Sequence, residues 1–432
     1  MILSWREPEH VFAGLAADRG RAFWLDGGGA RRWSGGRSFV GWLEDDDVSL
    51  TYDATRRTVY EHRNGQLRHI GDDIFAELAA PRGDGCVGWV GYLGYASRPD
   101  LPALLDRAVG HVDPVDACWL RPTHYLEFDH DTHAVFAHGF DDPPSWDFGE
   151  APTPSGLPEP TDPLSWSQER YADAFAEVQR QLRLGNSYEV NLTYRASVSS
   201  PADPLAVYRW LRRLNPAPYA CYLRHADLSV LCSSPERFIR LSGKRLETRP
   251  IKGTTPRSDD PAADAALAKR LREEPKFRAE NLMVVDLLRN DLSMVCKPGT
   301  VTVPELMYVE SYPSVHQLVS RIEGRLRHGV SGAEAVRALF PGGSMTGAPK
   351  LRTMEIIAAV EDTPRGAYSG AIGWLLDSGR VDLGIVIRTL VAASGRFTLG
   401  TGGAITVRSQ PEEEFAETQW KAQRLLQALG AW

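Results

Sequence analysis

The segment ETRPIKGTTPR holds a lysine, Lys252, in a stretch of backbone that its neighbours make irregular. Pro250 restricts the backbone on one side, and Gly253 permits unusual angles on the other. A lysine amine can lose its proton near neutrality and act as a nucleophile, whereas an arginine stays charged. Glu236 in SSPERF, sixteen residues earlier, is a candidate acid. The segment therefore indicates a base, a nucleophile or a salt-bridge partner at Lys252.

Glu280 is a carboxylate on the apolar side of a predicted helix with the sequence ENLMVVDLLRNDL. The apolar residues that share its face at helical spacing are Met283, Val284, Leu287 and Leu288. Because an isolated buried charge is costly, Glu280 must either pair with an arginine or bind a metal ion. Arg278 and Arg289 could supply the pair, so the helix alone favours neither alternative.

The C-terminal segment carries further carboxylates at the start of another predicted helix. Ser409 and Glu412 have the spacing of a capping box, and acidic residues of a first turn also suit the helix dipole. Glu417 lies one turn after Glu414, so the two can face one target, although Lys421 is an alternative partner for Glu417. Carboxylates from two distant helices, with no His or Cys ligand nearby, favour Mg²⁺.

Two glycine-rich stretches and one arginine are candidates for binding an anion. FPGGSMTGAPK precedes the predicted helix KLRTMEIIAAV, and GTGGA at 400–404 follows a predicted strand. Glycines let the backbone approach a ligand, although each stretch could equally be a tight turn. The first is not a nucleotide-binding P-loop, because Leu351 follows Lys350 where Ser or Thr is required. IVIRTLV places Arg388 within an apolar strand, where its guanidinium needs an acidic partner or a ligand carboxylate.

The composition is that of an ordinary globular protein, with 43% hydrophobic and 24% charged residues. The formal net charge of −7 argues against nonspecific nucleic-acid binding, which needs a basic surface. No apolar run approaches the ~18 residues of a membrane span, and the N-terminus MILSWREPEH lacks the apolar core of a signal peptide. The five cysteines form no CxxC pair. We therefore expect a cytoplasmic protein that binds neither nucleic acid nor membranes.

Seven prolines between Pro143 and Pro163 indicate an extended linker that holds neither a helix nor a central strand. This linker, 143–163, divides the chain into an N-terminal subdomain, 1–142, and a larger C-terminal domain, 164–432. The first part is rich in alternating segments such as SLTYD, TVYEH and YLEFD, which predict strands. The second part mixes long strands with amphipathic helices, which predicts an α/β or α+β sandwich.

In their order along the chain, these segments resemble the motifs of the chorismate-utilising enzymes, among them the anthranilate, isochorismate, salicylate and aminodeoxychorismate synthases. The matching text runs from GNSYEVNL through SSPERF, RPIKGT, RAENLMVVDLLRNDL, FPGGSMTGAPK, RGAYSGAIGW and IRT to GTGGA and EEFAET. It covers essentially all of 185–429, and WVGYLGYA at 89–96 resembles a weaker N-terminal signature. The resemblance implies a large two-lobed α+β sandwich of mostly antiparallel sheets with helices packed outside, as in anthranilate synthase component I. It also makes 164–432 the chorismate-binding catalytic domain.

Lys252 in RPIKGT is the feature that separates branches of the family, because it is similar to the aminodeoxychorismate synthases, whereas anthranilate and isochorismate enzymes usually have Ala. The resemblance implies component I, which converts chorismate and ammonia to 4-amino-4-deoxychorismate. Lys252 would attack C2 of chorismate and expel the C4 hydroxyl, and ammonia would then attack C4 and expel the lysine. Glu236 would protonate the leaving hydroxyl, since hydroxide is a poor leaving group.

The resemblance also implies how the substrate and a metal bind. Mg²⁺ on Glu280 and Glu417, with Glu414 helping through water, would hold the ring carboxylate of chorismate. Arg388 and Tyr368 would grip the enolpyruvyl carboxylate together with N–H groups of GTGGA. The further implied substrate contacts are Gly402, Gly403, Thr346, Gly347 and Lys350, the last with an electrostatic role.

Three positions depart from patterns within the family. Gln317 stands where anthranilate synthases place a His beside the substrate, although His316 is adjacent. Phe277 stands where many members have an acidic residue, which thins the outer shell of the metal site. Glu189 in YEVNL stands where isochorismate-type enzymes have the lysine that activates water. The last difference argues against water as the nucleophile.

None of the five cysteines lies in the GxCxG-like turn of a glutaminase nucleophile. We therefore expect a separate glutamine amidotransferase subunit to supply ammonia, in the folate branch that leads to 4-aminobenzoate. Two alternatives stay open, an anthranilate synthase large subunit and a non-catalytic chorismate-binding subunit.

Overall fold

The structure is a computed structural model of the 432-residue chain. It describes residues 1–29, 36–82, 86–102, 113–142, 144, 156–312 and 315–430. Most of the predicted linker, 143 and 145–155, lies outside the described residues. Where the description resumes, 161–164 forms an edge strand, which is a position that tolerates Pro163.

The helices of the described chain stand between strands or at the C-terminal end. Their bounds are α1 (Pro8–Leu15), α2 (Ile74–Ala79), α3 (Gln168–Arg183), α4 (Pro204–Leu214), α5 (Pro261–Glu273), α6 (Pro275–Ser293), α7 (Gly332–Leu339), α8 (Lys350–Val360) and α9 (Pro411–Ala428). None of these helices combines the length and the apolar character that crossing a bilayer requires.

The strands form two large sheets whose neighbouring strands pair antiparallel. The first sheet contains β1 (Ile2–Leu3), β2 (Arg21–Asp26), β3 (Arg37–Trp42), β9 (Tyr125–Asp129), β10 (Ala134–His138), β11 (Thr161–Leu164), β12 (Glu189–Ser199), β13 (Tyr219–His225), β14 (Leu228–Ser234), β20 (Gly347–Ala348), β23 (Thr389–Ala393) and β24 (Arg396–Ile405). The second contains β4 (Val48–Asp53), β5 (Thr58–Arg63), β6 (Gln66–Gly71), β7 (Gly88–Leu93), β8 (Ala117–Arg121), β15 (Arg237–Ser242), β16 (Arg245–Arg249), β17 (Ile251–Pro256), β18 (Thr302–Ser311), β19 (Val315–Arg325), β21 (Ala371–Leu376) and β22 (Val381–Ile385).

Each sheet takes strands from both sides of the proline-rich segment. The order in the first sheet is β1-β10-β9-β3-β2-β13-β14-β23-β24-β12-β11, with β20 beside β12. The order in the second is β17-β19-β16-β15-β22-β21-β7-β8-β4-β5-β6, with β18 beside β19. The N-terminal and C-terminal parts meet at β2–β13 in the first sheet and at β7–β21 in the second. The segment thus divides the sequence, while both sheets run continuously across the two parts.

Apolar side chains between the two sheets make the central layer of the molecule. Phe23, Leu223 and Val230 of the first sheet pack in one cluster with Tyr92 and Ile372 of the second. Burial of such side chains contributes about 1.5–3 kcal/mol each, which holds the sheets face to face. The predicted sandwich of antiparallel sheets is therefore confirmed.

Helices cover the outer faces of the sandwich. Leu288 of α6 and Leu339 of α7 belong to the core on the outside of the second sheet. Leu211 of α4 and Leu425 of α9 belong to the core on the outside of the first. The apolar stripe of each amphipathic helix thus faces a sheet. The predicted placement of helices outside the sheets is also confirmed.

The hairpin between β23 and β24 sets the register of the glycine-rich strand that follows it. Ser394 and Gly395 both have positive φ, at 50° and 72°, as a two-residue type I′ turn requires. The Ser394 N–H donates to Asp227 at 2.8 Å, which fixes the turn. The strand β24 then pairs with β12 from Arg396 to Ile405.

Candidate active site

Lys252 and Glu189 form an ion pair that joins the two sheets. Lys252 lies in the edge strand β17, where the pairing with β19 is irregular between Ile251 and Thr254 and Gly253 has φ of 96°. The irregular backbone predicted around Lys252 is therefore present. Its Nζ donates to Oε1 of Glu189, the first residue of β12, at 2.8 Å. The lysine is thus aimed across the gap between the sheets.

Both members of this pair are withdrawn from solvent. The side chain of Glu189 is 2% exposed and that of Lys252 is 11% exposed. Burial by itself lowers the pKa of Lys252, but the carboxylates of Glu189, Glu280 and Glu236 outweigh it and raise that pKa above its ordinary value. The second oxygen of Glu189, Oε2, is buried without a hydrogen-bond partner among the described residues.

Glu236 lies between β14 and β15 and is buried close to Lys252. The hydroxyl of Ser344 donates to its Oε1 at 2.9 Å. Burial raises the pKa of Glu236 to about 7, against the opposing effects of Ser344, Lys252 and Arg388. A carboxyl group with this pKa holds a proton near neutrality, which suits a general acid.

Glu280 is a half-buried carboxylate on α6 that makes no hydrogen bond or ion pair with the described residues. Its pKa is raised to about 7, first by burial and then by Glu189 and Glu414. The sequence left two arginines as possible partners for it. Arg278 instead donates to the carbonyl of Arg272, and the guanidinium of Arg289 binds Asp286. Glu280 is therefore left facing the site.

The C-terminal helix brings two more carboxylates to the same place. Glu414 is buried 3.7 Å from the amine of Lys276, and Glu417 binds Lys421 at 2.6 Å. Burial and the neighbouring Glu417 raise the pKa of Glu414, whereas Lys421 lowers that of Glu417. The lysines thus balance part of the negative charge.

The capping box predicted for α9 at Ser409 and Glu412 is wrong. The residue that caps α9 is Gln410, whose side chain makes no capping hydrogen bond. The hydroxyl of Ser409 instead accepts a hydrogen bond from the N–H of Thr406. This bond closes the turn that precedes the helix.

The carboxylates of the site are the groups that could hold a metal ion. Among the described residues, no three His, Cys, Asp or Glu side chains lie close enough together to hold an ion by themselves. Glu280 nevertheless makes no hydrogen bond or ion pair within the described part of the chain, and Glu414 lies near enough to raise its pKa. Mg²⁺ is commonly bound by one or two carboxylates plus substrate oxygens and water. The oxygen-only set of Glu280, Glu414 and Glu417 fits that chemistry.

Arg388 lies where the chain crosses from the second sheet to the first. Its prediction as part of a strand is wrong, because β22 ends at Ile385, β23 begins at Thr389 and Arg388 has a positive φ of 52° between them. Its half-buried guanidinium makes no hydrogen bond or ion pair with the described residues. Burial lowers its pKa, against the effects of Tyr368, Glu417 and Glu236. Such a cation is poised for an anionic ligand.

Tyr368 lies close enough to Arg388 for each side chain to shift the pKa of the other. Its ring lies against Gly400, where a Cβ would collide with it. The guanidinium of Arg195 stands 4.7 Å from the ring centroid on β12. Arg195 in turn lies 3.8 Å from Glu361, which also accepts two hydrogen bonds from Arg365. This buried network fixes the position of the ring.

The stretch GTGGA lies inside β24, so its prediction as a segment following a strand is wrong. Gly402 and Gly403 pair with Thr193 and Leu192 of β12, because the ladder extends along the whole stretch. The amine of Lys421 donates to the carbonyl of Gly402 at 2.9 Å. A Cβ on Gly403 would lie 3.3 Å from Oε2 of Glu414. Gly403 therefore borders the carboxylates.

The stretch GGSMTGAPK runs into α8 as predicted, and its parts serve different purposes. Gly347 fits against the carbonyl of Glu189, where a Cβ would collide. The hydroxyl of Thr346 donates to carbonyls of its own turn, at 3.3 and 3.4 Å. The amine of Lys350 donates to Asp291 at 2.7 Å and to the carbonyl of Leu339 at 2.9 Å. The structure thus brings Gly347 to the cluster and engages Lys350 elsewhere.

Three site residues did not emerge as functional from the sequence. Glu189 holds Lys252, Ser344 holds Glu236, and Lys276 stands beside Glu414. A signal existed for the first, since an acid at the start of the strand EVNLTYR is unusual in a run that is otherwise buried. Ser344 stands within a glycine-rich motif that had been singled out.

A separate cavity of about 560 Å³ lies between the sheets, lined by residues that include Phe23, Trp89, Tyr219 and Trp374. None of the residues that line it belongs to the cluster around Lys252. The candidate site is therefore the set of charged side chains where β12, β17, α6 and α9 converge.

The site thus combines the amine of Lys252, buried acids and Arg388, whose guanidinium has no partner among the described residues. The family to which the sequence belongs agrees with this combination. A sequence model described as chorismate binding enzyme matches residues 20–427. The chain belongs to the chorismate binding enzyme family. This chorismate binding enzyme thus has nearly its whole length within one family, including strands β2 to β10, which precede the proline-rich segment.

The relatives of this chorismate binding enzyme include aminodeoxychorismate synthases. It is 40% identical to the aminodeoxychorismate synthase of Streptomyces pristinaespiralis, over 98% of this chain and 64% of that protein. It is 41% identical to aminodeoxychorismate synthase component 1 of Klebsiella aerogenes, over 80% of this chain and 77% of that protein. The chain spans 64%, 50% and 57% of the length of three such relatives.

A solved structure agrees with the fold. Anthranilate synthase component I from Streptococcus pneumoniae TIGR4 superposes with a TM-score of 0.75 at 25% identity. The superposition covers 90% of this chain and 92% of that one. The architecture predicted from the resemblance is therefore confirmed.

Proposed function

We propose that this protein is the synthase component of aminodeoxychorismate synthase, which converts chorismate and ammonia to 4-amino-4-deoxychorismate. The observation that carries the proposal is the buried amine of Lys252 beside the protonatable Glu236. Relatives with 40% and 41% identity bear the name of this enzyme. A covalent route through lysine needs a nucleophilic amine and an acid for the leaving group, and the site supplies both.

In the first proposed step, the neutral amine of Lys252 forms a bond to C2 of chorismate. The two conjugated double bonds of the ring both shift towards C4, and the C4–O bond breaks. Glu236 gives its proton to the departing oxygen, which leaves as water. The pKa of about 7 keeps a useful fraction of Glu236 protonated at neutral pH. The product of this step is a covalent adduct on Lys252.

In the second proposed step, ammonia attacks C4 and the bond between C2 and Lys252 breaks. Both ring double bonds return to their first positions, and the amine leaves neutral. The carboxylate of Glu236 then accepts the proton that the new ammonium group loses. The reaction consumes one ammonia and releases one water, so atoms and charge balance.

Arg388 and Tyr368 are proposed to bind the enolpyruvyl carboxylate. The guanidinium of Arg388 has no partner among the described residues, so a carboxylate would satisfy it. Gly403 borders the carboxylate of Glu414, whereas Gly402 is closely packed against Leu192 and Thr193 of β12. Gly347 borders the site through the carbonyl of Glu189, whereas Lys350 binds Asp291 and contributes through its charge alone.

Mg²⁺ is the proposed cofactor, held by Glu280 and Glu417 with Glu414 nearby. When bound, the ion would neutralise the ring carboxylate of chorismate, which the acidic cluster would otherwise repel. The unpartnered carboxylate of Glu280 supports this assignment. Titration calorimetry with Mg²⁺ tests it, since Glu280→Gln should weaken binding at least tenfold. Unchanged affinity in that variant would contradict the assignment.

A glutamine amidotransferase is the proposed source of ammonia. The name component 1 of the Klebsiella relative implies a partner component for that protein. We also propose the cytoplasm as the compartment and 4-aminobenzoate synthesis as the pathway. Cys118, Cys221, Cys232 and Cys296 are buried thiols, which suits a reducing compartment.

The test combines product analysis with intact-protein mass spectrometry, using chorismate, Mg²⁺ and ammonium. We expect 4-amino-4-deoxychorismate from the wild type and, without ammonium, an adduct on Lys252. Lys252→Met should lose both, whereas Lys269→Met changes an exposed lysine and should retain both. Formation of fluorescent anthranilate without another enzyme would refute the proposal in favour of an anthranilate synthase. No turnover with the partner and ammonium present would favour a non-catalytic subunit.

A further inference from the structure

Glu189 has one carboxylate oxygen on the amine of Lys252 and another that is buried without a hydrogen-bond partner among the residues that the structure describes. We propose that Glu189 is the proton acceptor for Lys252. It takes a proton from the ammonium group, so that the neutral amine can attack, and returns it when the lysine leaves. This inference rests on the proposed function, and it gives Glu189 a direct part in each half of that reaction.

The contacts of Lys252 favour this assignment over its other acidic neighbours. Glu280 from α6, Glu236 from the segment between β14 and β15, and Glu417 from α9 act on Lys252 through their charges. Within the described chain, Glu189 is the carboxylate in hydrogen-bond contact with Nζ. A proton can therefore pass to Glu189 along an existing hydrogen bond without any movement of the backbone.

The backbone around Glu189 keeps its carboxylate in a fixed place. Glu189 begins β12 and pairs with Ala348 of β20. The hydroxyl of Ser187 donates to the carbonyl of Glu189 at 2.8 Å. Gly347 lies directly against the same carbonyl. A base held on a rigid strand stays aligned with the amine through both steps.

Binding of the substrate would make the transfer easier. An ion pair loses solvation when water leaves a site, whereas the pair of neutral groups loses much less. Transfer of a proton from Lys252 to Glu189 converts the ion pair into a neutral amine and a neutral carboxyl group, with no net change of charge. The proton rests on Glu189 while the adduct exists and returns to Nζ as the C2–N bond breaks.

An internal proton acceptor has a kinetic signature that a purely structural role lacks. With Glu189, the proton stays within the site, so activation of the amine does not depend on the pH of the solvent. In Glu189→Gln the amine must lose its proton to solvent before it can react. The reactive fraction then falls about tenfold for each pH unit below the pKa of the unpaired amine.

The experiment measures the rate of adduct formation without ammonia, at saturating chorismate, by rapid quenching and intact-protein mass spectrometry. The rate for Glu189→Gln is divided by the wild-type rate at each pH between about 6 and 9. This division cancels the titration of Glu236, which both proteins share. We expect the ratio to rise about tenfold per pH unit until it reaches a plateau.

Two further variants complete the design. Glu189→Asp keeps a carboxylate. Its rate of adduct formation, divided by the wild-type rate, should therefore be below one but independent of pH. Glu355→Gln makes the same change at an exposed glutamate that pairs with Arg352 on α8, and its ratio should stay near one.

A ratio for Glu189→Gln that does not change with pH would overturn the inference, and this includes uniform inactivity. A ratio for Glu189→Asp that rises steeply with pH would overturn it as well. If the wild type itself forms no adduct at any pH, the proposed function fails instead. The two failures are therefore distinguishable.

Discussion

The buried Glu236 should make the protein less stable as the pH rises, and replacing it by glutamine should remove that loss. Its carboxyl group is 6% exposed, and burial raises its pKa from 4.5 to about 7. The protonated form is therefore the one that the folded state favours. Stability from this group is complete below pH 4.5 and is lost as the pH rises towards about 7.

The size of the effect follows from the shift in pKa. A shift from 4.5 to about 7 corresponds to about 3 kcal/mol, at ~1.4 kcal/mol per pKa unit. Ionisation of Glu236 should lower the unfolding free energy of the wild type, relative to that of Glu236→Gln, by about 1 kcal/mol at about pH 5. The loss should reach about 3 kcal/mol at about pH 8.5. A constant difference between the side chains, such as an altered contact with Ser344, cancels when the two pH values are compared.

Urea unfolding at about pH 5 and about pH 8.5 measures this difference. The gain in unfolding free energy of Glu236→Gln over the wild type should grow by about 2–3 kcal/mol between the two. The same variant should lose adduct formation, because glutamine has no proton to give. Glu355→Gln, at an exposed site, should show no growth with pH. A difference that stays constant with pH would refute the assigned burial and pKa of Glu236.

The rate of adduct formation by the wild type should decline as the pH rises past about 7, because Glu236 then loses the proton that the leaving hydroxyl needs. Rapid quenching and mass spectrometry at each pH measure this rate. Gly400→Ala places a methyl group in the ring of Tyr368, so the KM for chorismate should rise severalfold in steady-state assays. Glu361→Gln removes the countercharge of the buried Arg365, which should cost about 3–5 kcal/mol of unfolding free energy in urea.

Each of these outcomes has a control and a contrary result. A rate that climbs above pH 7 would contradict the acid role of Glu236. Gly156→Ala adds a methyl group with no atom within 4 Å, so its KM should not change. If Gly400→Ala behaves in the same way, Tyr368 does not contribute to binding. A loss below about 1 kcal/mol in Glu361→Gln would contradict the buried network.

Local spacing allowed much of the site to be predicted. The segments around Lys252, Glu236 and Glu280 were recognised from their residue types and neighbours, and the structure brings all three together. A sandwich could be predicted as well, because strands and amphipathic helices leave few ways to bury their apolar faces, whereas its antiparallel sheets were implied by the resemblance to the family. The capping box at Ser409 failed because a nearer backbone N–H used the same hydroxyl.

Two features of the site that the sequence did not predict depend on how the sheets are assembled. They are the backbone at Arg388 and the partner of Lys350. The sequence predicts that Arg388 lies within one strand. In the structure, the chain leaves the second sheet at Ile385 and enters the first at Thr389. The substrate role of Lys350 stays a prediction, and the structure adds that its amine donates to Asp291, 59 residues away in sequence. Such partners are set by which elements become neighbours, and spacing along the chain does not encode that order.

The sequence by itself determined which chemical groups the site contains, because residue types and short-range geometry are written in its motifs. Only the tertiary structure decided which of those groups touch. Lys252 and Glu189 stand 63 residues apart on different sheets, and they meet at 2.8 Å because packing the two sheets face to face brings β17 against β12. The same packing withdraws the pair from water, so that the amine of Lys252 has the carboxylate of Glu189 as its hydrogen-bond partner.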